Sequence, residues 1–105
     1  MSDTLDLGNG HTLQFLGWHP DRELNPQVAG VPDVDRYAAV IEHPAPSGGT
    51  CAGGVTFDSD VARFVEPHKQ MWTVDSWEPL TLSPSVLCLR CGDHGFVRDG
   101  RWVVA

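Results

Sequence analysis

The sequence predicts a small, mainly β domain with at most one short helix. Eleven glycines and eight prolines interrupt the 105-residue chain so often that no helical pattern of about 12 residues or more survives. Two turn motifs, Asn9-Gly10 and Asp99-Gly100, each lie between short apolar runs, an arrangement typical of β-hairpins. A chain of about 100 residues has the usual length of one domain. We therefore expect a single domain over residues 1–105, with a hairpin near each terminus.

The N-terminal segment is predicted to be the first of these hairpins. Leu5 and Leu7 precede the Asn-Gly turn, and Leu13 and Phe15 follow it with the same alternation. Residues 19–35 carry three prolines and a glycine among charged residues. This composition favours a surface loop after the hairpin.

The middle of the chain is predicted to contain a buried strand and a long loop. Tyr37-Ala38-Ala39-Val40-Ile41 is an apolar run with strand-forming residues. Residues 43–54 hold four glycines and two prolines around Cys51. We expect a loop of little regular structure there, which brings Cys51 to a particular place, before a strand resumes at Val55-Thr56-Phe57.

Two further elements follow the loop. Asp58 and Ser59 can cap a single helical turn that stops before Pro67, although a bent strand fits this segment nearly as well. Residues 71–77 alternate in a way that predicts a half-exposed strand. In the C-terminal hairpin, around Asp99-Gly100, we expect Val97 and Trp102 to face each other.

The charge of the chain excludes some classes of function. Fourteen acids against seven bases give a net charge of −7. Binders of duplex nucleic acid and of anionic membranes depend on Lys and Arg, so neither class is expected. The excess of acid lies before Ser76, either as a contact face for a basic partner or as a solubilising surface. We expect a cytoplasmic protein, because no apolar run approaches roughly 20 residues and the first residues do not resemble a secretory signal.

The strongest chemical motif is Cys88-Leu89-Arg90-Cys91-Gly92-Asp93-His94. A C-x-x-C turn directs two thiolates at one cation, and His94 is close enough in sequence to reach the same ion. Zn²⁺ in structural sites takes four N or S ligands, and Cys51 is the remaining cysteine. The motif therefore predicts one zinc site with the ligands Cys51, Cys88, Cys91 and His94.

Other readings of these residues stay open. His43 or His68 can supply the histidine ligand in place of His94. A redox pair is disfavoured, because such pairs usually lie at the start of a helix and no helical pattern follows Cys91. Three cysteines can also lie in an apolar core without binding metal.

The number of ligands decides the role expected for the metal. Four protein ligands leave no open position for water, so the zinc would be structural. If His94 or Cys51 were not a ligand, the metal could activate water, with Asp93 or Glu42 as the base. The sequence holds no nucleophile elbow, phosphate-binding loop or Glu-x-x-His motif. We therefore expect no catalytic residues and no enzyme.

Residues 77–102 resemble a family of small zinc-binding proteins from actinobacteria and their phages, known as a domain of unknown function. The resemblance rests on Leu82-Ser83-Pro84-Ser85, Cys91, His94 and Gly100. Family members often carry a Cys-x-Cys-Gly segment upstream, of which this chain keeps only Cys51, and Cys88 can supply the missing cysteine. Relatives are encoded in phage genomes and beside genes for prokaryotic ubiquitin-like conjugation. The resemblance implies a binding or accessory role and no enzymatic activity.

Together these observations predict a zinc-stapled domain that acts as a non-enzymatic binding or accessory module of phage origin, with a protein partner. A virion component of the capsid or tail and a zinc-dependent hydrolase are the alternatives. The location would then be the host cytoplasm or the virion. The sequence leaves the identity of the partner and the oligomeric state open.

Overall fold

Nine strands form three antiparallel sheets in the computed structural model, which describes residues 3–105. The first two residues of the predicted domain lie outside this part. The strands are β1 (Thr4–Gly8), β2 (His11–Trp18), β3 (Val34–Pro44), β4 (Thr50–Thr56), β5 (Thr73–Trp77), β6 (Leu80–Ser83), β7 (Val86–Leu87), β8 (His94–Arg98) and β9 (Arg101–Val104). One short α-helix, α1 (Asp60–Val65), and a single 3₁₀ turn at Pro26–Val28 complete the described elements. The expectation of a mainly β domain with at most one short helix is confirmed.

The first four strands form one sheet in the order β1-β2-β3-β4. The predicted N-terminal hairpin is confirmed, and Asn9 and Gly10 turn it with φ angles of 55° and 78°. Both angles lie in the left-handed region that this kind of turn requires. Leu13, at the centre of the sheet, pairs with Leu5 on one side and with Ile41 on the other.

The loop expected over residues 43–54 is mostly strand, so this prediction was wrong. β3 continues to Pro44 and β4 begins at Thr50, which leaves residues 45–49 as the turn. Gly48 and Gly49 adopt φ angles of 95° and 77° and reverse the chain there. The register of the two strands places His43 directly opposite Cys51.

Other predicted boundaries shift by a few residues. β3 begins at Val34, inside the expected surface loop, and β5 begins at Thr73. The single helical turn is confirmed as α1, where the Ser59 side chain accepts a hydrogen bond from the Ala62 N–H at 3.0 Å. No helix among the described residues is long and apolar enough to cross a membrane.

The C-terminal half forms a two-stranded sheet, β5-β6, and a three-stranded sheet, β7-β8-β9. The second hairpin is confirmed, with Val97 opposite Trp102 and with Asp99 and Gly100 at φ angles of 53° and 73°. Gly95 on β8 lies under the Trp102 ring, and a Cβ atom there would come within 2.5 Å of Trp102 Cε2. A side chain at position 95 would therefore displace the ring.

One apolar core joins the sheets. All three contribute buried side chains, and Phe57 and Trp72 add theirs from outside the named strands. The buried side chains are Leu7, Leu13, Phe15, Ala39, Ile41, Val55, Phe57, Trp72, Leu80, Leu82, Val86, Val97 and Trp102. Two contacts tie the first hairpin to the last. Asn9 Nδ2 donates to the Trp102 carbonyl at 3.0 Å, and the His11 ring stacks on the Trp102 ring with 4.2 Å between centroids.

Candidate functional site

Two groups of chemically active side chains lie next to each other at one end of the β7–β8 pair. The first is a cluster of three cysteines and a histidine, which we call the sulfur cluster: His43, Cys51, Cys88 and Cys91. The second is the pair Ser85 and His94, which comes from the two chain segments that flank the Cys88–Cys91 turn.

The sulfur cluster is built by two hairpin ends. His43 and Cys51 are opposite each other on β3 and β4, and Cys88 and Cys91 lie in the turn between β7 and β8. In that turn the Gly92 N–H donates to the Cys88 carbonyl, and Gly92 has a φ of 77°. A glycine is favoured at such an angle because a side chain would be strained there.

The distances within the cluster suit one metal ion. One ligand atom from each of the four residues lies within 4.8 Å of the others. His43 Nε2 is 3.1 Å from Cys91 Sγ, and Cys51 Sγ is 3.5 Å from Cys88 Sγ. A tetrahedral zinc site with Zn–S bonds of about 2.3 Å needs sulfur atoms about 3.8 Å apart. The donor types and spacing are therefore compatible with a metal site.

The thiols of Cys88 and Cys51 differ in acidity. Although burial opposes ionisation of Cys88, the backbone N–H groups of Cys91 and Arg90 donate to its sulfur and lower its pKa to about 6. Cys51 shares a hydrogen bond with Cys88, and this bond together with burial raises the pKa of Cys51 to about 11. Thiolate is the form of cysteine that binds metal, so the cluster contains one sulfur that is readily ionised.

Two further polar side chains, Asp93 and His11, lie beside His43 of the cluster. Asp93 Oδ2 is 2.5 Å from His11 Nε2, and it lies 4.0 Å from His43 Nδ1. His43 Nδ1 is buried and has no hydrogen-bond partner among the described residues. When His43 Nε2 faces a metal, its Nδ1–H needs an acceptor, and Asp93 is the carboxylate nearby. This arrangement fits a metal-binding role for His43.

Ser85 and His94 form a hydrogen-bonded pair. Ser85 precedes β7 and His94 begins β8, and the pairing of Leu87 with His94 brings the two segments together. His94 Nε2 lies 2.8 Å from Ser85 Oγ. The Trp72 indole N–H donates to the Ser85 carbonyl at 3.2 Å and fixes the backbone that carries the hydroxyl. A serine next to a histidine at this distance is the arrangement that activates a nucleophile.

Ser85 and His94 line a groove with a volume of about 620 Å³. Gly53 and Gly54 of β4 line it together with them. Cys88 also borders the groove, so the sulfur cluster and the Ser-His pair share one surface. The described lining includes Lys69 and Arg90 and no aspartate or glutamate.

The structure brings three of the four sequence-predicted ligands together. Cys51, Cys88 and Cys91 meet as expected, and the histidine that joins them is His43, which the sequence left as an alternative. His94 instead contacts Ser85. His68 and Glu42 are exposed and outside the cluster, and Asp93 binds His11.

Sequence reasoning gave Ser85 no role. The sequence did hold a pointer to this serine, because Leu82-Ser83-Pro84-Ser85 was part of the resemblance and precedes Cys88 and Cys91. It could not be interpreted without knowing that β7 and β8 pair, since no local motif marks this serine as a nucleophile.

Comparison with known proteins gives one family. A family model described as "BubE: Bacterial ubiquitination-like system serine protease" matches residues 37–105, which is more than half of the chain. No curated protein and no solved structure matches. The matched segment contains the sulfur cluster, Ser85 and His94. The family description mentions neither zinc nor actinobacteria nor phages.

This match corrects two expectations from the sequence. A non-enzymatic binding or accessory module conflicts with a family described as serine proteases, and so does the statement that the protein is no enzyme. Both expectations were wrong; they rested on a four-ligand zinc site and on the absence of a nucleophile motif from the sequence, and the family match overturns them. The expected membership of a small domain family is confirmed, whereas the family description gives no support for a zinc signature or for an origin in actinobacteria and their phages.

Proposed function

The chain belongs to the BubE family of serine proteases from a bacterial ubiquitination-like system, and we propose that it cleaves peptide bonds with Ser85 as the nucleophile and His94 as the general base. One observation carries this proposal: His94 Nε2 lies 2.8 Å from Ser85 Oγ in an open groove. Among the described residues, no other serine hydroxyl is paired with a histidine ring. The protein partner expected from the sequence is then the substrate.

The geometry supports a two-step acyl transfer. His94 Nε2 removes the proton as Ser85 Oγ attacks the carbonyl carbon of the scissile bond, and a tetrahedral oxyanion forms. As the C–N bond breaks, His94 returns the proton to the leaving amine, and an ester to Ser85 remains. A water molecule, deprotonated by His94, attacks the ester, and His94 then protonates Ser85 Oγ. The products are an amine and a carboxylic acid, so the atoms balance.

The pair lacks the third member of a triad among the described residues, because no carboxylate is hydrogen-bonded to His94 Nδ1. His94 is also exposed, whereas Ser85 is half-buried. A dyad depends on the segments on either side of it to hold the two side chains in line. The neighbouring sulfur cluster is placed to hold these segments.

We propose that the sulfur cluster binds Zn²⁺ through His43, Cys51, Cys88 and Cys91. Three sulfurs and one imidazole nitrogen are the donors that structural zinc prefers, and four protein ligands leave no position for water. The ion would join the β3–β4 end to the turn between β7 and β8, and thereby staple the single domain. Because that turn separates Ser85 from His94, the staple would hold the dyad together without taking part in the reaction.

A fluorophosphonate probe tests the proposed nucleophile without knowledge of the substrate. Such a probe forms a covalent bond with an activated serine, so one label per chain is expected on Ser85. Ser85→Ala should abolish labelling, whereas Ser83→Ala, an exposed serine on the same segment, should leave it unchanged. His94→Ala should slow labelling by about 100-fold or more. Equal labelling of Ser85→Ala and the unchanged protein would disprove the assignment.

A further inference from the structure

Part of the groove that Ser85 lines is formed by the free edge of a sheet. β4 is the last strand of the order β1-β2-β3-β4, so one side of it pairs with β3 and the other side is open. Ala52, Gly53 and Gly54 of this strand line the groove. An open strand edge presents main-chain N–H and C=O groups that can pair with another extended chain.

The main-chain hydrogen bonds near the end of β4 show which of its residues direct their N–H and C=O groups away from β3. The Phe57 N–H donates to the Tyr37 carbonyl on the β3 side, at 3.1 Å. The Thr56 carbonyl instead accepts from the Trp72 N–H at 2.8 Å, on the side away from β3. In an antiparallel pair the N–H and C=O groups of one residue point to the same side of the strand, and this side alternates from each residue to the next. Gly54 and Ala52 therefore direct their N–H and C=O groups toward the open side, in line with Thr56.

The chain already pairs with this edge at one place. Trp72 forms a parallel bridge with Phe57, and its main chain bonds to Thr56 and Asp58. Pairing then stops, and the edge from Gly54 back to Ala52 faces the groove. The Trp72 side chain also holds the Ser85 carbonyl. Trp72 thus occupies the last paired position on the edge of β4 and also holds Ser85 beside the unpaired part of that edge.

Gly53 and Gly54 have no packing reason to be glycine. A Cβ atom on Gly53 would meet nothing within 4 Å, and one on Gly54 would meet only the Ala39 carbonyl at 4.0 Å. Neither residue has a positive φ. Two glycines in a row weaken a strand, and in an edge strand they often mark a place where another backbone approaches closely.

We propose that the substrate binds as an extended peptide that pairs with the free edge of β4 at Gly54 and Ala52, with its scissile bond over Ser85. This inference rests on the proposed protease function and adds the binding mode and the class of substrate. The groove is lined by Arg90, which forms no ion pair among the described residues, by Lys69, which pairs with Glu66 at 3.3 Å, and by no described acidic residue. The preferred peptide therefore carries acidic side chains near the cleaved bond.

The sharpest test removes one N–H group from the open edge. Gly54→Pro deletes the outward N–H without removing a bond to β3, and proline is tolerated at such edge positions. Gly54→Ala is the matched control, because it keeps the N–H. A proteome-derived peptide library, with the cleavage sites read by mass spectrometry, supplies substrates of every sequence. Gly54→Pro should cleave the library about tenfold more slowly than Gly54→Ala, since a main-chain hydrogen bond is lost.

Fluorophosphonate labelling separates this proposal from the proposed function. The probe is small and needs no strand pairing, so Gly54→Pro should label as fast as Gly54→Ala. If Gly54→Pro labels normally and also cleaves the library as fast as Gly54→Ala, the edge does not bind substrate. If the unchanged protein labels but cleaves no peptide, the proposal also fails, because main-chain pairing tolerates many sequences. Absence of labelling would instead contradict the protease function itself.

The same library tests the charge of the groove. Cleavage sites should be enriched in aspartate and glutamate, and the double variant Lys69→Gln/Arg90→Gln should lose that enrichment. Wild-type cleavage without acidic enrichment would overturn this part of the proposal and leave strand pairing to be judged by Gly54→Pro.

Discussion

His94 Nε2 lies 2.8 Å from Ser85 Oγ, and the segment that separates these two residues in sequence contains both cysteines of the C-x-x-C turn. Ser85 precedes β7 and His94 begins β8, and these strands pair through Val86 with Gly95 and Leu87 with His94. The turn that carries two of the proposed metal ligands therefore lies between the proposed nucleophile and its proposed base.

Ser85 and His94 should act as one unit. If the histidine works only by activating the serine, the double variant Ser85→Ala/His94→Ala should hydrolyse substrate no more slowly than Ser85→Ala alone. The rates of peptide cleavage for the two single variants and the double variant provide the measurement. Multiplicative losses would instead mean that the two residues act independently.

Metal removal should disable the dyad and lower stability together. The protein should contain about one zinc per chain, and chelation should reduce the melting temperature and the rate of fluorophosphonate labelling. His43→Ala should lose the metal, whereas His94→Ala should keep it. His68→Ala is the matched control, because His68 is exposed and outside the cluster. Metal content measured by mass spectrometry decides between His43 and His94, and a metal-free protein with an unchanged melting temperature would refute the structural role.

Gly95→Ala should destabilise the C-terminal sheet. An added Cβ would lie 2.5 Å from Trp102 Cε2 and 2.7 Å from the Val103 carbonyl, and the backbone atom cannot move aside easily. We expect a loss of about 1 to 3 kcal/mol in the free energy of unfolding, as is typical of overpacking. Gly30→Ala is the control, since a Cβ there meets nothing within 4 Å. Urea unfolding of both variants measures the difference, and equal midpoints would show that the Trp102 ring adjusts freely.

Tyr37→Phe should destabilise the protein in a pH-dependent way. The Tyr37 hydroxyl donates to Glu66 Oε2 at 2.5 Å, and this bond lowers the pKa of Glu66 below its ordinary value of 4.5. A carboxyl with a lowered pKa in the folded state contributes stability above pH 4.5 and loses it as the pH falls through the folded value. Removing the hydroxyl should cost about 1 to 3 kcal/mol near pH 7.

The cost of Tyr37→Phe should shrink in acid. Below the folded pKa of Glu66 the carboxyl is protonated in both states, so the charged acceptor is gone. Burial and the Glu66 hydrogen bond also raise the pKa of Tyr37 above 10.0, so its contribution should fade as the pH rises beyond 10.0. Unfolding curves at pH 3 and pH 7 test the acid arm. An identical loss at both values would mean that Glu66 does not carry the effect.

The class of fold, both hairpins and three of the four residues of the sulfur cluster were predictable from the sequence. These features depend on local chemistry. Asn9-Gly10 and Asp99-Gly100 adopt the left-handed backbone that a tight hairpin requires, and a C-x-x-C turn brings its two sulfurs together whatever surrounds it. Such signals are readable within a few residues of the chain.

Which histidine joins the cysteines, and which serine contacts a histidine, depends on how the strands pair in the folded chain. His43 lies in a stretch whose prolines and glycines favoured a loop, yet pairing with β4 extends β3 through Pro44 and places His43 opposite Cys51. Ser85 and His94 meet because two short strands pair across the cysteine turn. Strand pairing joins residues that are distant in sequence, and its register is set by packing of the whole sheet, so no local pattern could have revealed either contact.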